Sequence, residues 1–244
     1  MWTLGFDSTA SNVTAALLRD GDLVSFYTAD SATSHSTTLL PAIEALLRAA
    51  GITAKDLSLI SCSAGPGSFT GVRIGVSTAK GLAAPFDTPC IGVSSLEAMA
   101  YSFADVRCIV CPSLGARRGN VYAALFYSDG EGCITRLCDD DLISIAEMGA
   151  FVKSSIDEGS VLPLYVCGDS IKEVSASIEE ADGIMLRKTP AMMAPPSGFG
   201  AALCGYAKYI RDDTDKSSLT GARLVPIYLR KSQAEREKEE RERT

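Results

Sequence analysis

The sequence predicts an α/β protein built from two similar lobes with a cleft between them. Two patterns of three strands, a helix, a strand and a helix follow one another along the 244 residues, as expected for a duplicated unit. The composition fits a folded protein, because 46% of the residues are hydrophobic and 22% are charged. We expect an N-terminal lobe at residues 1–104, a C-terminal lobe at 105–230 and a charged tail at 231–244.

The first unit begins with three predicted strands and a helix. Residues 2–7 and 12–18 are apolar over strand length, and residues 23–28 return after a turn that contains glycine. In the helix that follows, apolar residues recur at helical spacing, with Pro41 in the first turn and Gly51 as the stop. These apolar residues are Leu39, Leu40, Ile43, Leu46, Leu47 and Ala50.

The remaining elements of both units follow from the same kinds of pattern. The first unit closes with a buried strand at 57–63, a helix at about 70–84 and a short strand at 90–93. The second unit repeats the order, and a further helix and an apolar segment come after it. These ranges are 107–112, 120–127, 133–138, 145–156, 162–167, 171–179, 198–210 and 224–229.

A glycine-rich loop at residues 65–71 joins a predicted strand to a predicted helix. Such a loop places backbone N–H groups and the helix dipole where an anion can bind. It is not a Walker loop, because Val72 and Arg73 stand where Lys and Ser or Thr should follow. It is not a dinucleotide fingerprint either, because Thr70 takes the place of the third glycine. We favour helix packing through small residues four apart: Gly71, Gly75 and Ala79.

Charge, histidine and cysteine content exclude several function classes. The net charge of −7 argues against binding nucleic acid through bulk charge. The single histidine, His35, excludes a His-rich zinc site. Cys108 and Cys111 have a zinc-ligand spacing but lie in an apolar run, so we expect the eight cysteines to be reduced and mostly buried. With neither a signal-peptide pattern nor a spanning segment, we expect a cytoplasmic protein.

Two loops are candidates for a nucleotide site in the cleft. Asp7-Ser8-Thr9 follows the first strand and either holds a phosphate or a magnesium-bound water, or forms an ordinary turn. Gly168-Asp169 ends the buried strand of the second unit. His35 precedes the first helix and is either a surface or capping contact, which we favour, or a catalytic base.

The run GPGSFTGVRIG at residues 65–75 resembles the signature of the TsaB (YeaZ) family, bacterial proteins of tRNA threonylcarbamoyladenosine synthesis. Further segments match that family in the same order along nearly the whole chain. In one departure, Gly115 stands where members commonly have Asp, which weakens any metal or nucleotide role transferred to the second lobe. The matching segments lie at residues 7–9, 35–41, 91–96, 116–122 and 226–230, whereas residues 128–194 match least.

The resemblance implies an actin-like (ASKHA) fold of two RNase-H-like lobes and a non-catalytic scaffold role. Such proteins bind TsaD, which transfers threonylcarbamoyl to the adenosine beside the anticodon, and the ATPase TsaE joins the pair. TsaD carries a metal-binding His-x-x-x-His, whereas here Leu39 stands four residues after His35. The resemblance thus implies no cofactor or metal of the chain's own, ATP or ADP and tRNA only at the level of the complex, and no membrane partner. It also implies a homodimer when TsaD is absent.

Members of the family pair through helices of the N-terminal lobe, so the resemblance assigns a candidate partner interface to the first two helices. We expect Gly75→Leu to break partner binding and to leave the monomer folded. The candidate interface residues are His35, Leu39, Leu40, Ile43, Leu47, Gly71, Arg73, Gly75 and Ala79.

An alternative function for the same fold is an ATP-dependent kinase that acts on a small molecule. The kinase would use Asp7, Thr9 and the Gly168-Asp169 loop around a phosphate, and tight ATP binding by the isolated chain would favour it. Gly115 weakens this alternative, because it leaves no paired set of carboxylates. A metallopeptidase is not expected from a chain with one histidine.

Overall fold

The computed structural model describes residues 1–30, 35–156, 160–181, 183–211 and 215–229, so the predicted tail at 231–244 lies outside the described residues. The described chain forms two sheets with helices on their faces. No helix in these ranges is long and apolar enough to cross a membrane.

The first sheet has five strands, and two helices cover one of its faces. Its elements are β1 (Trp2–Asp7), β2 (Asn12–Arg19), β3 (Asp22–Asp30), α1 (His35–Ala49), β4 (Leu59–Ser63), α2 (Phe69–Ala83) and β5 (Cys90–Val93). The strand order is β3-β2-β1-β4-β5, with β2 antiparallel to both its neighbours and β4 parallel to both of its own. Side chains alternate along β1, so Leu4 and Phe6 face the core under α1 and α2. The first predicted unit is confirmed.

The second sheet repeats the strand order of the first. Its path β10-β7-β6-β11-β12 corresponds position by position to β3-β2-β1-β4-β5, which confirms the predicted duplication. Its elements, with the helices around it, are α3 (Ser95–Tyr101), β6 (Cys108–Gly115), β7 (Asn120–Ala123), β8 (Phe126–Ser128), β9 (Ile134–Arg136), β10 (Asp141–Ser144), α4 (Met148–Ser155), β11 (Leu164–Gly168), α5 (Ile171–Glu179), β12 (Leu186–Arg187) and α6 (Gly198–Ile210).

Two predictions for the second sheet are wrong. The single strand predicted at residues 120–127 is divided into β7 and β8, which pair with different parts of β6. Between those parts lies Pro112, which has no N–H for the ladder. The strand predicted at residues 133–138 is β9, which pairs only with β8, and β10 takes the third-strand position beside β7.

Helix boundaries also differ from the predictions. Pro41 lies inside α1, not in its first turn, because the chain is already helical at His35. The helix predicted from residue 145 begins as a 3₁₀ turn at Ile145–Glu147 before α4. The helix α3 was not predicted from the sequence; the side chain of its N-cap residue, Ser94, accepts a hydrogen bond from the Glu97 N–H.

The last α-helix of the described residues, α6, packs on the first sheet, on the face opposite α1 and α2. A Cβ atom on Gly5 of β1 would collide with Ala202 of α6. The Ser61 hydroxyl of β4 donates to the Ala201 carbonyl oxygen over 2.7 Å, and the Gly198 N–H donates to Thr14 Oγ1 over 2.7 Å. Residues almost 200 positions apart in the sequence are therefore in contact, and α6 belongs with α3 to an apolar cluster that includes residues of both sheets.

Candidate functional site

A cleft of about 870 Å³ opens between the two sheets. The turn between β1 and β2 and the glycine-rich loop line it from the N-terminal side, and the β6–β7 turn with the loop after β11 lines it from the other. Its polar and charged lining residues are Thr9, Ser11, His35, Ser68, Thr70, Arg73, Arg117, Tyr122, Asp169 and Tyr228. Of the residues predicted for a nucleotide site, Thr9 and Asp169 reach this cleft.

Asp7 and Ser8 lie behind the cleft and not in it. Asp7 is 1% exposed, and its Oδ1 accepts hydrogen bonds from the Thr9 N–H over 2.7 Å and the Thr9 hydroxyl over 2.8 Å. Its Oδ2 is buried with no hydrogen-bond partner among the described residues. Burial raises the pKa of the Asp7 carboxyl, although the neighbouring Ser63 hydroxyl, the hydrogen bonds from Thr9 and the charge of His35 oppose this.

The glycine-rich loop closes on the β1–β2 turn. The Ser68 N–H donates to the Thr9 carbonyl oxygen over 2.7 Å, and the Ser8 hydroxyl donates to the Gly71 carbonyl oxygen over 2.9 Å. A Cβ atom on Gly71 would overlap the Ser8 carbonyl oxygen, and one on Gly75 would lie 3.0 Å from Ser8 Oγ. This small-residue face of α2 is therefore occupied by the β1–β2 turn within the monomer, and its part in a partner interface stays a prediction.

Most of the other interface candidates also belong to the N-terminal core. Leu39, Ile43, Leu47 and Ala79 are buried among the apolar residues between the sheet and its helices. His35 is partly buried in the cleft, where its Nε2 lies 2.6 Å from the Ala10 carbonyl oxygen. Only Leu40, 44% exposed, and Arg73 present exposed side chains. The exposed positions of α1 and α2, which we call the outer face, include Leu40, Glu44, Arg48, Arg73, Ser77 and Gly81.

On the opposite side of the cleft, Asp169 is held by hydrogen bonds. Its Oδ1 accepts from the Gly115 N–H over 2.7 Å and from the Ser170 hydroxyl over 3.0 Å. Gly168 does not line the cleft; it has φ +116°, and a Cβ atom there would overlap the Ser113 carbonyl oxygen. Gly168 therefore lets β11 approach β6 closely and positions Asp169 next to Gly115.

Gly115→Asp would place a second carboxyl group beside Asp169, because a Cβ atom at 115 lies 3.5 Å from Asp169 Oδ1. We expect the repulsion to raise the pKa of one of the two carboxyl groups and to cost about 1 kcal/mol of folding free energy at neutral pH. The variant then has its full stability below the unfolded-state pKa of this carboxyl group, and it loses stability as the pH rises through the raised folded-state pKa. Urea unfolding at pH 4 and pH 7 checks this, and Gly115→Asn is the uncharged control. A cost equal at both pH values would contradict the explanation.

The apolar segment at residues 224–229, which we call the strap, reaches the cleft from the far end of the described chain. Its apolar pattern was visible in the sequence, but no role could be predicted from it. Its Tyr228 ring stacks on the Phe69 ring of α2, with centroids 4.8 Å apart. The Arg73 Nε–H donates to the Tyr228 hydroxyl over 2.9 Å, and the Arg73 guanidinium lies 3.9 Å from the Phe69 ring centre.

Six of the eight cysteines are buried and pack as apolar residues, whereas Cys138 is partly buried and Cys133 is exposed. Cys108 and Cys111 are buried on β6, as the apolar run predicts, and burial raises the pKa of Cys111 to about 12. Among the described residues there is no group of three or more His, Cys, Asp or Glu side chains that could hold a metal ion. Neither side of the cleft thus presents a recognisable metal centre within the described chain.

Comparison with known proteins gives the family. Residues 29–238 match the family model described as TsaD, tRNA N6-adenosine threonylcarbamoyltransferase. The chain is 32% identical over 235 residues to the tRNA threonylcarbamoyladenosine biosynthesis protein TsaB of Bacillus subtilis, covering 96% of each chain.

Solved structures give the fold. YeaZ from Pseudomonas aeruginosa has a TM-score of 0.75 at 20% identity, covering 93% of this chain and 99% of that one. A ROK hexokinase from Thermus thermophilus has a TM-score of 0.53 at 12% identity, covering 86% and 99%. These likenesses confirm the expected actin-like fold of two lobes. Together with the identity to the Bacillus relative over almost its whole length, they show that the chain belongs to the TsaB (YeaZ) family.

Proposed function

We propose that the chain takes part in tRNA threonylcarbamoyladenosine synthesis as a non-catalytic subunit that binds a TsaD-type transferase through its outer face. The name of the Bacillus relative supports the pathway, and the match to the TsaD family model supports a partner built on a similar fold. Within the complex, the subunits together would bind a TsaE-type ATPase, ATP or ADP, and tRNA. A second copy of the chain would use the same face when the transferase is absent.

The observation that carries this proposal is the outer face itself. Arg73, Ser77 and Gly81 lie four residues apart along the exposed side of α2, and the helix α1, which contacts α2, carries the exposed Leu40. A Cβ atom on Gly81 would meet nothing within 4 Å among the described residues. Small side chains on an exposed helix let a partner helix approach closely, and a neighbouring leucine provides apolar surface to bury.

The cleft supports the non-catalytic part of the proposal. A kinase of this fold needs a carboxylate that can reach a phosphate-bound metal ion, but Asp7 is buried and Thr9 satisfies its Oδ1. Asp169 does reach the cleft, where its Oδ1 accepts two hydrogen bonds from the chain itself. The kinase alternative is therefore not favoured.

Replacing Ser77 with tryptophan should abolish binding to TsaD of the same organism. The indole would hold a partner helix away from the outer face, and we expect affinity to fall by a hundredfold or more, about 2.7 kcal/mol. Calorimetry measures the affinity, and threonylcarbamoyl transfer by TsaD and TsaE to tRNA measures the support given by the chain. Ser154→Trp is the matched control, because Ser154 is also an exposed helical serine but lies on α4.

Each outcome of this experiment has a defined meaning. Normal binding by Ser77→Trp would show that the partner sits elsewhere, and weak binding by Ser154→Trp would show the same. Failure of the unchanged chain to bind TsaD, together with ATP turnover by the chain alone, would overturn the proposed function in favour of the kinase.

A further inference from the structure

The strap has a fixed end. Leu224 is 6% exposed and belongs to the core of the N-terminal lobe, where it packs against Gly92 of β5. The Ile227 N–H donates to the Ala64 carbonyl oxygen over 2.6 Å, just beyond the end of β4. The first part of the strap is therefore held by burial and by a backbone hydrogen bond.

The other end of the strap lies at the surface. Tyr228 is 44% exposed and Leu229 is 38% exposed. Among the described residues, the Tyr228 side chain stacks on Phe69 and accepts a hydrogen bond from Arg73. A stacked pair and one exposed hydrogen bond to a neutral phenol are weak enough for a competitor to replace.

Arg73 joins the strap to the outer face. It is the first residue of the exposed stripe of α2 that continues through Ser77 and Gly81, and it is the only charged one of the three. An arginine guanidinium binds a carboxylate bidentately and more strongly than it binds a phenol. A partner that offers a carboxylate at this end of the face would take Arg73 from Tyr228.

We infer that the strap is an intramolecular latch on the outer face, closed by Tyr228 on Phe69 and Arg73 and opened by a protein partner whose acidic side chain pairs with Arg73. This inference rests on the proposed function and adds a means of regulating it. Only molecules with an open latch can bind the partner. The apparent affinity for the partner therefore falls in proportion to the fraction of molecules that are open. Opening also removes Tyr228 from the mouth of the cleft, so partner binding and access to the cleft are coupled.

The latch is tested in two stages with the full chain. In the free protein, Tyr228→Ala should speed amide hydrogen exchange of the strap about tenfold, and Tyr228→Phe, which keeps the stack, about threefold. Val225→Ala is the control within the strap, since Val225 is exposed and outside the latch contacts. In the second stage TsaD is added: exchange of the strap should rise in the unchanged chain, and Tyr228→Ala should bind TsaD several-fold more tightly.

The outcomes separate the latch from the proposed function. If Tyr228→Ala exchanges like the unchanged chain, or binds TsaD equally or more weakly, the latch is overturned while the scaffold role stands. If TsaD binds and strap exchange stays the same or slows, Arg73 is not released and the latch is again overturned. If the unchanged chain does not bind TsaD at all, the proposed function fails and the latch on a partner face fails with it.

Discussion

Gly71→Ala should lower the free energy of unfolding by about 3 kcal/mol or more, because the added methyl group has no room. The added Cβ atom would overlap the Ser8 carbonyl oxygen, which is backbone and cannot rotate away. The contact is fixed from both sides, because Ser8 Oγ donates to the Gly71 carbonyl oxygen and Ser68 N–H donates to the Thr9 carbonyl oxygen. Relief requires α2 to move off the β1–β2 turn. Urea unfolding monitored by circular dichroism measures the loss.

Gly81→Ala in the same helix is the matched control. A Cβ atom there meets nothing within 4 Å among the described residues, so the helix gains the propensity of alanine. We expect stability to rise by about 0.5–1 kcal/mol. Equal effects at both positions would mean that helix propensity, and not the contact with Ser8, determines the result. The contact at Gly75 likewise replaces our expectation of a folded Gly75→Leu monomer with one of a destabilised monomer.

The orientation of α2 shows what helical periodicity can and cannot predict. Gly71, Gly75 and Ala79 lie four apart, and so do Arg73, Ser77 and Gly81. The spacing correctly predicts two stripes on a helix, but both stripes contain glycine, and spacing carries no information on which one faces the sheet. The β1–β2 turn decides this, because only a glycine fits against the Ser8 carbonyl oxygen. The sequence therefore predicted the helix and its small-residue stripe correctly, but it could not divide the positions between the core and a partner.

The strands show a similar limit. The strands β1, β2 and β5 were predicted closely because their apolar runs are buried, whereas β12 has two residues and β10 begins with the exposed Asp141. Such short segments become strands only because a neighbouring strand offers backbone partners. The contacts of the latch could not be predicted either, because they also depend on a distant segment: Arg73 and Tyr228 lie 155 residues apart in the sequence. The position of Thr9 and Asp169 at the cleft could be predicted, because each comes shortly after a predicted buried strand.

Asp7→Asn should raise the free energy of unfolding at pH 7 by about 1–3 kcal/mol, the usual cost of a buried polar group without a partner. Asp7 Oδ2 and Ser63 Oγ are both buried with no hydrogen-bond partner by geometry among the described residues. The pairing of Phe6 with Cys62 places Asp7 and Ser63 side by side on β1 and β4. An asparagine amide can donate to Ser63 Oγ and still accept from Thr9 through its oxygen.

The stability gained by Asp7→Asn should depend on pH. Because burial raises the pKa of Asp7 in the folded state, the folded chain holds this proton more tightly than the unfolded chain does. The stabilisation is fully present below the unfolded-state pKa and is lost as pH rises through the folded-state value. Asp7→Asn has no such proton to lose, so its advantage should be small at pH 4 and grow toward pH 7. Asp7→Ala, which removes the acceptor for Thr9, should destabilise at both pH values. An asparagine variant less stable than the unchanged chain at pH 7 would mean that a charged Asp7 is stabilised where it lies.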